Sequence, residues 1–301
     1  MRNRYCVPRI LGVEKHEVEL DGGSDILGIS GGTFVFEAVA MGAPGGPEND
    51  NDAINVTGGT DSNVTFKGDV GYANATTGRR VSVTVDDAVL RDMDDNPTVT
   101  FAATENLKRL ELQNSATVRL DRNANNDHTT IIASQLAIAE DENNVPTARL
   151  DINDGFLAIN YDGDSPLEDV VAWIKSGFKD VEHAWDGQGI ISSAAALDPG
   201  AYAVGWAEAS VIQPLQYVPF GPDHPFGDFE DIDGTTILVR YTLVGDINLD
   251  GTVDDIDISI LTGNYLSPGT WGWADGDVFG YDGVVDDPDV GLQAGNYGMS
   301  V

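Results

Sequence analysis

From about residue 17 to residue 160, short apolar or alternating runs recur every 8–14 residues, each broken by Gly, Asn or Asp. Such spacing leaves room for strands and almost none for helix, because no 3.6-residue apolar period persists across the stretch. The predicted strands are Thr33–Val39, Ala53–Val56, Val64–Phe66, Val81–Val85, Thr98–Ala102, Arg109–Leu112, Thr117–Leu120, Thr130–Ala133 and Ala148–Ile152. The phrases LKRLELQNSATVRLDRNAN and PTARLDINDGFLAINYDGD read as strand, polar corner, strand and turn. Asn and Asp suit such corners because they tolerate left-handed backbone and bond their own main chain. The expected fold is therefore mainly β: a parallel β-helix-like solenoid or a β-sandwich, followed by a small α-helical calcium module.

The pattern changes near residue 161. YDGDSPLEDVVAWIKSGF predicts a helix with Ser165 at the cap, Pro166 at the first position and Glu168 three residues after the cap. Leu167, Val170, Val171 and Ile174 form its apolar face, and Gly177 is the expected stop. A strand is expected over Thr235–Val244. The chain thus divides into an extended basic arm (1–16), a β-rich region (17–160), a mixed linking segment (161–243) and a C-terminal module (244–301).

Residues 246–257, DINLDGTVDDID, have the spacing of a twelve-residue calcium loop. Asp246, Asn248 and Asp250 fall at positions 1, 3 and 5, and Gly251 at 6 permits a sharp turn. Thr252 at 7 offers a carbonyl, and Asp254 and Asp257 stand at 9 and 12. Calcium takes six to eight oxygen ligands, and this spacing converges them. GDINLDGTVDDIDISILTGNY recurs as GDVFGYDGVVDDPDVGLQAGNY, with Asp250 and Asp282, Asp257 and Asp289, and Tyr265 and Tyr297 each 32 residues apart. There Asp282, Val284, Asp286 and Asp289 match positions 5, 7, 9 and 12. Asp277 stands five residues before Asp282 instead of four, and Gly280 stands where Asn or Asp belongs, so either Asp277 reaches by a bulge or Asp275 substitutes for it. A helix is expected over 257–264, with Ile258, Ile260 and Leu261 turned inward. An acidic disordered tail would explain the charge of this region but not its duplicated apolar spacing, nor Tyr265, Trp271, Trp273 and Tyr297.

Asp rather than Glu at position 12 departs from an EF-hand loop, and this form, a loop followed by one helix and duplicated over about residues 244–298, resembles the type I dockerin. The wider arrangement resembles secreted proteins of Planctomycetes and related bacteria, in which a β-rich region precedes a dockerin-like end. The resemblance implies calcium as the bound ion and a surface or matrix role, with a cohesin-like protein or a polysaccharide as partner.

Charge narrows the function classes. Sixteen Lys and Arg against 50 Asp and Glu give −34, which argues against nucleic acid and against an anionic membrane surface. No apolar run approaches the roughly 18 residues of a membrane span. The single Cys6 excludes an internal disulfide framework. Of the acids, 37 are Asp and 13 Glu, a bias toward turns and hard-cation sites. Residues 1–15 carry four bases and one acid, for +3, without the apolar core of a signal peptide. The expected location is nonetheless extracellular or the cell surface, where free calcium is abundant.

Two further acidic loops, 41–52 and 121–127, lack calcium-loop spacing and read as solvated turns. The sequons at Asn55, Asn63 and Asn74 read as Thr-rich strand edges. His16, His128, His183 and His224 are scattered, and Arg79, Arg80, Arg91, Arg109, Arg119 and Arg122 form no recognisable catalytic set. The expected function is a non-enzymatic structural protein stabilised by calcium. Head-to-tail assembly into a filament or surface layer is expected if its basic start meets the acidic end of another copy; the alternative is an unattached terminus on a monomer. The alternatives are a polysaccharide lyase-like β-helix enzyme carried by its dockerin, and a glycan-binding adhesin.

Overall fold

The computed structural model describes residues 98–213 and 232–301 throughout; before residue 98 it describes only the strands named below. The chain divides into two compact units, Met1–Asp151 and Ile152–Val301. In chain order the strands of the first unit are β1 (Tyr5–Cys6), β2 (Glu14–Leu20), β3 (Ile26–Ser30), β4 (Thr33–Met41), β5 (Ala53–Thr57), β6 (Asn63–Phe66) and β7 (Val70–Gly71). They continue as β8 (Val81–Asp86), β9 (Thr98–Phe101), β10 (Glu105–Gln113), β11 (Thr117–Leu120), β12 (Thr130–Ala133), β13 (Leu136–Ile138) and β14 (Arg149–Asp151).

One sheet of this unit runs β1-β3-β5-β8-β10-β12, and the other β2-β4-β6-β9-β11-β14. β7 joins β4, β13 joins β10, and these pairings are parallel. Register stacks like on like. Phe36 faces Phe66, which faces Phe101, which faces Leu120. The three rings are buried and lie nearly parallel, 5.4 and 5.3 Å apart. Val56, Val85, Leu112 and Ile138 form a matching column in the other sheet, all buried. Intervening residues are less buried, as the two-residue period of a strand requires. Asn114, Asn126 and Asn144 take left-handed backbone in the turns between strands.

The second unit is mixed. Its strands are β15 (Phe156–Asn160), β16 (Gly189–Ile191), β17 (Tyr202–Glu208) and β18 (Thr236–Leu243). β18 lies between β15 and β17, antiparallel to both. Its helices are α1 (Leu167–Phe178), α2 (Ala209–Ile212), α3 (Asp255–Asn264) and α4 (Asp287–Asn296). The Ser165 hydroxyl accepts from the Leu167 amide at the start of α1. The helix buries Val170, Trp173, Ile174, Gly177 and Phe178, a face rotated from the one the sequence predicts. Gly177 lies inside the helix and does not stop it. A Cβ there would stand 1.9 Å from the Ile190 carbonyl oxygen, so α1 approaches β16 too closely for any side chain.

The expected fold class is therefore corrected. The chain is not a β-solenoid or β-sandwich ending in a helical calcium module, but an α/β-like arrangement of parallel and mixed sheets with a few helices. The physical reason lies in the second unit, where the C-terminal segment is anchored to the sheet. α4 sits on Gly245, whose φ is +102° and whose added Cβ would meet Gln293 at 2.8–2.9 Å. Gln293 and Asn296 are buried and donate to the carbonyls of Gly245 and Val244 at the end of β18. Buried backbone acceptors need such partners.

Candidate metal centre

The two duplicated loops, 246–257 and 277–289, bring their acids into the interior of the second unit. Asp246, Asn248, Asp257, Asp277 and Asp289 are all buried. In the first loop the Asp246 carboxylate accepts from the amides of Asp250 and Gly251, both at 3.0 Å, and from the Thr242 hydroxyl. The Asn248 side chain donates to Asp250 at 2.9 Å and accepts from the Asp250 amide at 3.1 Å. Asp257 accepts from the amides of Ile247, Asn248 and Asp254. Asp254 caps α3 through the Ile256 amide, and the Thr252 amide donates to Asp250. The loop can close this tightly because Leu249 and Gly251 take positive φ.

The second loop repeats this arrangement despite its extra residue. Asp277 accepts from the Gly283 amide at 2.8 Å, as Asp246 does from Gly251. Asp289 accepts from Val278, Phe279 and Asp286, and the amide of the exposed Val284 donates to Asp282. Gly280, Tyr281 and Gly283 all take positive φ, so the insertion is absorbed as a bulge at Gly280. Asp277 is thus in place, and Asp275 instead accepts from the Gly272 amide. One difference remains: Asp277 Oδ1 is buried without a hydrogen-bond partner.

The 32-residue repeat becomes an exchange of contacts. The Tyr265 hydroxyl, after α3, donates to Asp287 at the start of α4, and that of Tyr297, after α4, donates to Asp255 at the start of α3. The Leu266 amide donates to the Val285 carbonyl, and the Gly298 amide to the Val253 carbonyl. Residues 298–301 then lie along the first loop: the Val301 amide donates to the Gly251 carbonyl, and the Thr252 and Ser300 hydroxyls meet at 3.1 Å.

Several residues of this region carry no sign of their role in the loop spacing. Arg240, buried on β18, donates to the Leu249 carbonyl at 2.9 Å and lies 5.0 Å over the Phe156 ring. It is the one base in an otherwise apolar and hydroxylic run, TTILVRYTLV. Trp273 donates to the Asp246 carbonyl. Tyr281 stands within 4.9–6.3 Å of Phe178, Trp185, Trp206 and Trp273, ring centre to ring centre. Of the other expected loops, most of 41–52 lies outside the described residues. Residues 121–127 form an exposed turn in which Asn123 accepts from Asn125 and Asp127. Asn55 and Asn63 lie in β5 and β6, and Asn74 is outside the described residues.

Burial pushes the Asp246 carboxyl up to about 6 and the Asp257 and Asp277 carboxyls up to about 7; Asp289 is raised for the same reason. Arg240 partly offsets this at Asp246. Such carboxyls hold their protons more tightly in the folded chain than in the unfolded one, so their contribution to metal-free stability is greatest below the ordinary value near 3.8. That stability is lost as pH rises through 6–7. The melting temperature in chelator should therefore fall from pH 5.5 to pH 8, measured by circular dichroism. A rise would contradict the burial.

The donors suit a hard cation in kind, since each loop offers carboxylate and carbonyl oxygens and the second holds a buried carboxylate oxygen with no donor. Among the described residues, no three His, Cys, Asp or Glu side chains stand together as a metal-holding group. A cation in either loop would therefore draw on amide, carbonyl or water oxygens as well, or would pull the carboxylates inward. Comparison with family models, with curated proteins and with solved structures gives no match for this chain.

Proposed function

We propose that the chain is a calcium-stabilised, non-enzymatic structural protein of the cell exterior. One observation carries the reading: a duplicated acidic loop whose leading carboxylate, Asp277, is fully buried with one oxygen unpartnered. An ionised carboxylate in that position is costly unless a cation joins it. The paired loops at calcium-loop spacing, the resemblance to dockerins and the preference for Asp over Glu support calcium as that cation. Free calcium in quantity supports an extracellular place. Arg109 and Arg119, available to a lyase-like site, instead pair with Glu111 and Asp121 at 3.0 and 2.9 Å.

Calorimetric titration of the full chain should show two calcium ions bound, with Asp246→Asn and Asp277→Asn each removing one. A chain that binds none would end this reading. The charge contrast between residues 1–15, at +3, and residues 241–301, with eleven acids and no base, supports homotypic assembly through the ends. Sedimentation in calcium should show oligomers that dissolve as salt rises; a monomer at all concentrations would exclude assembly.

A further inference from the structure

We propose that the two loops are unequal by construction: Arg240 serves the first as a built-in counter-cation, so the second is the loop whose order depends on bound calcium. The proposal rests on the calcium reading above and concerns how that calcium is shared.

The difference is visible atom by atom. Both oxygens of Asp246 are satisfied within the protein, Oδ1 by the Asp250 amide and Oδ2 by Gly251 and Thr242. Asp277 keeps only the Gly283 bond. The amide that would serve its Oδ1, that of Asp282, is displaced by the inserted residue. The hydroxyl has no counterpart either: upstream of the insertion the repeat runs 31 residues apart, as Asp246 and Asp277 do, and the position matching Thr242 is Trp273. By the same offset the position matching Arg240 is Trp271, which carries no charge.

Charge follows the same division. The guanidinium of Arg240 is buried, feels Asp246 and Asp250, and is fixed to the first loop by its bond to the Leu249 carbonyl. The added Cβ of Gly251 would stand 3.3 Å from its Nη2, so the guanidinium lies directly against the turn. The cation felt by Asp277 is Lys175, which is exposed and has the smallest influence among those acting on it. A fixed positive charge steadies the first loop's carboxylates without metal and repels an incoming divalent cation. Even at the dielectric of bulk water, one unit charge several ångströms from a divalent ion is worth about tenfold in affinity. The second loop has no such brace and no such repulsion.

Hydrogen exchange of the full chain, followed by mass spectrometry, tests this. In chelator, amides 247–252 should exchange at least about tenfold more slowly than amides 278–284; calcium should slow the second set by a similar factor and the first set little. Asp277→Asn should protect the second loop in chelator and remove its response to calcium. Arg240→Met should expose the first loop in chelator and make it respond to calcium; should that variant not fold, Asp277→Asn and the parent chain decide. Equal protection of both loops in chelator, with calcium bound, overturns the inference alone. A chain that binds no calcium overturns the calcium reading and this inference with it.

Discussion

Replacing Trp273 by alanine should cost about 3–5 kcal/mol in the second unit, the range for truncating a large buried aromatic. Trp273 has the greatest volume among the fully buried side chains of the described residues. Its ring leaves no room above Gly205, where an added Cβ would meet it at 2.6 Å. It also stands 5.9 Å from Trp206 and 6.3 Å from Tyr281. Its indole N–H donates to the Asp246 carbonyl at 2.8 Å, so truncation further strands a buried acceptor. Against a typical net stability of about 5–15 kcal/mol, this is a large share of the whole. Trp273→Phe keeps most of the volume and should cost about 1–2 kcal/mol. Urea unfolding with and without calcium separates the two variants. An alanine variant within about 1 kcal/mol of the parent would show that the first loop does not depend on this anchor.

Phe66→Ala should have a similarly large effect, about 3–5 kcal/mol, in the first unit. Phe66 is wholly buried between Phe36 and Phe101, one ring above and one below. Its neighbours are fixed by backbone pairing on both sides, so neither ring can move far to fill the gap. Phe66→Leu should cost about 1.5 kcal/mol, because most of the volume remains. The shift should appear in the urea midpoint of the full chain. Equal midpoints for the parent and alanine variant would mean that the column is not a unit of stability.

The strands were the most legible part of the fold. Each predicted run of the β-rich region overlaps an observed strand, because a two-residue alternation is written locally and parallel neighbours repeat it. Thr117–Leu120 and Thr130–Ala133 even keep their predicted ends. The second unit was less legible because its contacts are distant in sequence. Nothing near Phe156 announces that it lies opposite Arg240. The acidic loops were visible from their spacing, but their attachment was not. The Tyr281 ring meets Phe178, Trp185 and Trp206 from far upstream, so a segment that reads as a separate module is continuous with the core. α3 likewise starts at Asp255 and half-buries Ile258 and Ile260, because its inward face also carries Asp257.

The clasp of residues 298–301 on the first loop has a consequence for biosynthesis. Thr252 meets Ser300, a partner 48 residues later in the chain. At about 5–20 residues per second, the ribosome makes that partner on the order of 2–10 s after the loop itself. During that interval the second loop and α4 are completed, while the first loop still lacks its edge. The later-made loop therefore finds its upstream partners already made, whereas the carbonyls of the earlier one at Gly251 and Val253 stay open to water until residues 298–301 follow.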